Sequence, residues 1–202
     1  MLPPPILSGF SGAEPSHVRE GAKEAAWTIR AETPDDAAPI AALVERGFGP
    51  GRYAKSAYRL REGVDQVAAL GFVAVENGVL RGSVRFWPVA VGPRTVLLLG
   101  PLAVETAQRG RGIGVQLMET GIAAARGAGW PAIVLVGDEP YYARVGFSKL
   151  PPGRVRFPGP VDSSRILGLS LSAGALLNLS GEVRRPHLDD PVCAGGAGLA
   201  AQ

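Results

Sequence analysis

The chain has 202 residues and a net charge of +3, with 28 glycines and 18 prolines, about twice the usual combined level. Apolar residues make up 46% of it, which excludes wholesale disorder; the glycines keep no three-residue period, which excludes collagen, and Cys193 stands alone, which excludes a disulfide scaffold. Its cations are dispersed rather than gathered in a stripe, so the charge argues against a nucleic-acid partner and suits a small anionic ligand.

Residues 1–26 lack the basic start and apolar stretch of a signal peptide, and no run approaches the roughly 18 apolar residues of a membrane helix. A cytoplasmic protein without a membrane or nucleic-acid partner is expected. Poorly ordered extensions are expected at 1–26 and 182–202, around one domain at 27–181.

Trp27–Arg30 is a short β-like stretch. Thr33-Pro34-Asp35-Asp36 then starts a helix: Thr as N-cap, Pro at the first helical position, acids in the first turn. Ile40, Leu43 and Val44 recur at helical spacing until Gly47, and a second helix fits Arg52 to Glu62. From Phe72 to Glu76 the period becomes two. Asn77-Gly78 is a strong hairpin signal, because both turn positions need positive φ. The return strand is expected from Val79 to Val91, with Val84 and Phe86 on one face and Arg81, Ser83, Arg85 and Trp87 on the other.

After Gly92-Pro93, Thr95–Val104 is apolar on both faces and should be a central strand covered on both sides. Gly100-Pro101 interrupts it. A strand ending at Leu99 is one reading, but Leu102-Ala103-Val104 continues the apolar run, which favours a bulge or a splaying neighbour. Arg109-Gly-Arg-Gly-Ile-Gly114 leads into a helix reaching about Arg126. Pro131–Val136 is another apolar strand, parallel to Thr95–Val104 if that helix is a crossover. Asp138-Glu139-Pro140 opens a short helix, Tyr141–Val145, closed by Gly146. Phe147 begins a further strand, 150–160 reads as a Pro-rich surface loop, and Ile166–Leu171 is the last strand, followed by a Ser172-capped helical turn. The element order makes the domain α+β with one parallel crossover.

RGRGIG, between a buried strand and a helix, carries the chemistry. Glycine lets the backbone approach a ligand, and free N–H groups at a helix start suit phosphate. The spacing is not that of a dinucleotide fingerprint, whose third glycine would fall at Leu117. No Gly-Lys-Ser/Thr makes it a P-loop.

Arg109-x-x-Gly112-x-Gly114 after LGPLAV resembles the pyrophosphate-binding motif of the GNAT superfamily of N-acetyltransferases. Tyr141-Tyr142-Ala143-Arg144-Val145-Gly146-Phe147 resembles that family's second motif, and one helix and one strand separate the two. The resemblance covers roughly Trp27 to Leu179. It implies the acyl-CoA N-acyltransferase fold: a mixed, mostly antiparallel sheet of about six or seven strands, splayed at two parallel central strands and flanked by helices. It also implies acetyl-CoA as co-substrate, with no metal. Leu102, Ala103 and Val104 would pair with the pantetheine arm. Arg109, Gly110, Arg111, Gly112, Ile113, Gly114 and Val115 would hold the pyrophosphate. Tyr142 matches the tyrosine that protonates the leaving thiolate, a role that suits a phenol neutral at pH 7; Tyr141 is assigned to packing.

The general base is less defined. His17 and His187 both fall in the extensions, which leaves carboxylates or water. Asp138 and Glu105 are the candidates, beside plain readings as an N-cap and a solvated loop acid. Arg85 and Trp87 could line an acceptor site. The expected activity is N-acetyl transfer to a small-molecule or peptide amine; the alternative is a non-catalytic acyl-CoA-binding regulatory module. The long Val79–Val91 strand and the last strand could pair across a homodimer.

Overall fold

The computed structural model of the protein describes residues 27–51, 56–187 and 190; the expected 1–26 extension and most of the C-terminal tail lie outside them. The strands are β1 (Thr28–Ala31), β2 (Phe72–Glu76), β3 (Val79–Val91), β4 (Arg94–Val104), β5 (Ala132–Val136), β6 (Ser148–Lys149), β7 (Val155–Arg156), β8 (Ile166–Ser170) and β9 (Gly181–Arg184). The helices are α1 (Ala37–Phe48), α2 (Ser56–Arg59), α3 (Ile113–Gly127) and α4 (Glu139–Tyr142).

Local chemistry accounts for the first elements. Asp36 accepts from the Thr33 backbone N–H at 2.8 Å and from the Thr33 hydroxyl at 2.9 Å, and Arg30 grips the same carboxylate at 2.6 and 2.8 Å. This fixes the entry into α1, which opens with a 3-10 turn at Pro34–Asp36. The helix passes the expected stop at Gly47 and ends at Phe48, because Gly49, with φ 65°, is the residue that leaves helical space. Asn77 and Gly78 have φ of 50° and 74°, the pair of positive values that a tight hairpin between β2 and β3 requires. Of the second expected helix, 52–55 lies outside the described residues, and the helix observed, α2, stops at Arg59.

The sheet runs β1-β2-β3-β4-β5-β8-β6, with β7 and β9 attached beside β3. Its ladders along this path are antiparallel except β4–β5, which α3 joins as a crossover. β4 separates two cores, as a strand apolar on both faces must. Leu97 and Leu99 join Phe86, Ile133 and the buried stripe of α3 (Ile113, Leu117, Met118, Ile122). Val96 and Leu98 join Val89, Val91, Val134, Leu60 and residues from the C-terminal segment.

That segment corrects several expectations. Val155 and Phe157 are buried in the second core, so 150–160 is not merely a surface loop. Ile166–Ser170 is not the last strand: β9 follows it, pairs with β3 and β7, and buries Val183, so regular structure crosses the boundary expected at Gly181. Arg184 then holds Asp190 at 2.6 and 2.7 Å. Residues 171–178 form bends and hydrogen-bonded turns, the first closed by the Ala175 N–H donating to the Ser172 carbonyl, and no helix. β3 is paired by β4 on one edge and by β2 and β9 on the other, so it is an interior strand rather than a free dimer edge. Among the described residues no helix is long and apolar enough to cross a membrane.

Candidate active site

The site begins where β4 and β5 part. Their parallel pairing covers only Leu97↔Ile133 and Leu98↔Val134. On its other edge β4 pairs Leu99 with Phe86 but Leu102 with Val84, so Gly100 and Pro101 together oppose Arg85 in a one-residue bulge, and Pro101 has no N–H to give to a ladder. β5 continues alongside β8 instead. The β4 edge from Leu99 onward is therefore left without a strand partner. A cleft of about 1020 Å³ opens against it, walled by Ile40, Val44 and Phe48 of α1 and by Tyr141 and Tyr142 of α4. Leu102, Ala103 and Val104 all line it.

At one end of this edge lies the glycine turn. Gly110 and Gly112 have φ of 81° and 96°, and a Cβ on either would meet nothing within 4 Å, so the space above them is open. Gly112 is the N-cap of α3. The first amides of the helix, at Ile113, Gly114 and Val115, have no acceptor inside it and belong to residues lining the cleft. That is a place for an anion. Gly114 is closely packed for a different reason: a Cβ there would run into the Tyr141 hydroxyl, the far end of a partly exposed side chain.

The two arginines of the turn separate. Arg109 lines the cleft, and no ion pair involves it among the described residues. Arg111 turns away: it reaches Glu76 at 2.8 Å, bonds Gln108, and lies 4.9 Å from the Trp27 ring centroid. Its side chain ties the turn to the β2–β3 hairpin. The Arg111 hydrogen bond in turn keeps the Glu76 carboxyl below the usual carboxylate range.

The tyrosines exchange the roles expected of them in packing. Tyr142 is the deeper ring, set edge-on to Phe147 and to Tyr141 and so close to Gly137 that a Cβ there would overlap it. Tyr141 is 36% exposed. Both line the cleft. Burial pushes the Tyr142 phenol up to about 12, so it stays protonated through neutral and alkaline pH.

The candidate bases are both engaged. Asp138 lines the cleft near its mouth, is largely exposed, and pairs with Arg165 at 3.2 Å. Glu105 pairs with Arg46 at 3.0 Å and does not line the cleft. Of the acceptor-site candidates, Arg85 lines the cleft but is tied to Glu32 at 2.5 and 2.9 Å; Trp87 also lines it, with its indole N–H buried and unpartnered.

The profile of the acetyltransferase (GNAT) family matches residues 38–147, which spans the cleft's α1 wall, the splayed strand, the glycine turn and the tyrosine helix. The chain belongs to the GNAT family.

Among GNAT relatives, the Escherichia coli YhbS protein, an uncharacterized N-acetyltransferase, is 38% identical over 136 residues, covering 65% of this chain and 80% of YhbS. The crystal structure of YhbS in complex with CoA superposes with a TM-score of 0.65 at 34% identity, covering 79% of this chain and 89% of that one. A GNAT acetyltransferase from Brucella melitensis in complex with acetyl-CoA gives 0.59 at 31% identity, covering 80% and 96%.

Among the cleft residues that the sequence of this GNAT chain did not single out, Arg61 stands out. Arg61, just after α2, lines the cleft with its guanidinium packed against Gly100 and 6.0 Å from the Trp87 ring centroid. Burial lowers it to about 10, so it remains a cation at neutral pH. One arginine among 21 basic residues carries no local mark, and its partners at 87, 100 and 142 come together only through the fold.

Proposed function

We propose that the protein transfers an acetyl group from acetyl-CoA to a primary amine by direct attack in a ternary complex. The observation that carries this is the unpaired β4 edge, which leads from the glycine turn to Tyr142 inside one cleft. The residues fit the co-substrate: open space over Gly110 and Gly112, free helix amides for a pyrophosphate, and backbone at Leu102–Val104 able to pair with an amide-bearing arm. The thioester supplies an activated acetyl carbon. An N–C bond forms to that carbon, the C–S bond breaks, and the departing sulfur takes the Tyr142 phenol proton. Arg109 and the amides from Gly110 to Val115 hold the phosphates, with Arg111 bracing the turn from behind. Asp138 and Glu105 are each held by an arginine, so the proton lost by the acceptor passes to water at the open mouth of the cleft.

CoA release measured at saturating substrates tests the acid. Tyr142→Phe should lower kcat by about 10²- to 10⁴-fold while leaving the KM for acetyl-CoA in place. The protonated phenol is the active form and is lost only as pH rises through about 12, so kcat should not decline on the alkaline side up to about pH 10. An unchanged rate in the variant would remove Tyr142 from the role. Acetyl-CoA binding without CoA release on polyamines, aminoglycosides, amino acids and peptide N-termini would support the acyl-CoA-binding module instead.

A further inference from the structure

Among the described residues, five arginines line the cleft: Arg61, Arg85, Arg109, Arg144 and Arg165. Glu32 neutralises Arg85, and Asp138 neutralises Arg165. Arg109 stands in the glycine turn, and Arg144 acts on Tyr141, which packs over Gly114, so both belong to the phosphate end. Arg61 is left at the other end, against Gly100, with Trp87 and Tyr142 around it.

No carboxylate among the described residues answers it. Glu62, its neighbour in sequence, is held by Arg185 at 3.1 Å, and Glu105 by Arg46. The Arg61 Nε is buried without a hydrogen-bond partner, and so is the Trp87 indole nitrogen. Both groups can only donate. A half-buried guanidinium with its Nε unpaired and no counter-ion is costly, and a ligand that brings two acceptor oxygens removes that cost through a bidentate pair.

We propose that Arg61 anchors a carboxylate on the acceptor, so that the substrate class is an amine carrying a carboxylate, such as an amino acid. This rests on the acetyl-transfer reading above. One guanidinium balances one carboxylate; a phosphate dianion would leave a surplus charge in a partly desolvated place. The Trp87 ring stands beside the fork, 6.0 Å from its carbon, and Arg61 becomes a specificity residue rather than part of the acyl transfer. Its nearness to Tyr142 sets the carboxylate within a few bonds of the reacting amine.

The test uses the full chain, acetyl-CoA and matched acceptors: β-alanine, γ-aminobutyrate and ε-aminocaproate, each against its carboxamide. The carboxylate should be preferred by about a hundredfold in kcat/KM, as expected for a desolvated charge pair. Arg61→Gln should bring that ratio to near one, and Arg61→Lys should restore part of it. Carboxamides used as well as carboxylates, or equal losses on both in Arg61→Gln, would overturn the proposal. A second measurement separates it from the transfer reading: thermal shift with CoA plus N-acetyl-γ-aminobutyrate or its carboxamide. Arg61-dependent binding of the carboxylate without turnover of any amine would leave the anchor standing and remove the transfer reading. Turnover with no carboxylate preference would do the reverse, and failure of the carboxylate to bind would refute the anchor.

Discussion

Two glycines of α3 predict opposite outcomes for the same substitution. Gly121 is buried, and a Cβ built on it would lie 2.7 Å from Phe86 Cζ and closer still to Cε2. Phe86 is fully buried and sits on β3 at the register shift beside Gly100-Pro101, so its ring cannot retreat into solvent. Alanine in a helix interior gains about 1 kcal/mol over glycine. Overpacking a filled core costs about 1–3 kcal/mol, more when the neighbour is pinned. With Phe86 pinned the upper part of that range applies, about 2–3 kcal/mol, so Gly121→Ala should show a net loss of about 1–2 kcal/mol. At this chain length that is a fall in Tm of about 2–8 °C. Gly127, at the end of the same helix, has an ordinary φ, and a Cβ there would meet nothing within 4 Å, so Gly127→Ala should raise Tm slightly. Thermal unfolding of both variants by circular dichroism makes the comparison. A Gly121→Ala protein as stable as Gly127→Ala would refute the packing argument, because only propensity would then be acting.

Other outcomes follow from the site and the α1 cap. Gly114→Ala should raise the KM for acetyl-CoA by about tenfold, since the Tyr141 hydroxyl must swing into the cleft; adding Tyr141→Phe removes the colliding oxygen and should recover part of the loss. An unchanged KM in the single variant would count against this. Asp36→Asn should cost about 1 kcal/mol near neutral pH by weakening the cap. The Arg30 hydrogen bond holds the Asp36 carboxyl well below the usual range, so its contribution is full above the unfolded value near 3.9 and fades as pH falls through the folded one. From about pH 6 to about pH 3 the wild-type chain should therefore lose more stability than Asp36→Asn, as urea titrations at several pH values would show.

The parts of the fold written in local chemistry were legible in the sequence. Asn77-Gly78 marked the hairpin because only a few residues tolerate its backbone. Gly100-Pro101 inside an apolar run marked the point where β4 loses a partner, because proline cannot serve a ladder. The glycine turn and the tyrosine segment were legible as a pair in order. What escaped depended on distant partners. β9 is four residues long between polar flanks, and β3 and β7 decide that it is a strand. Prolines around Val155 and Phe157 suggested surface, although both side chains fill the second core. Arg111 looked like a ligand residue beside Arg109, and only the approach of Glu76 and Trp27 draws it off. Tyr141 and Tyr142 are adjacent and alike, so which ring is deeper depends on Gly137, Gly114 and Phe147.

The open edge of β4 also bears on how the chain avoids its own kind. An exposed strand edge normally invites another molecule to add a strand, the first step of edge-to-edge aggregation. Here the unpaired stretch is in the middle of the sheet, recessed between apolar side chains of α1 and the tyrosines of α4. A second polypeptide, carrying side chains on both faces, meets those walls before it meets the backbone. A slender ligand with amide groups does not. The same wedge that leaves hydrogen-bonding groups unsatisfied thus also sets them back behind side-chain walls, which an added strand would have to pass.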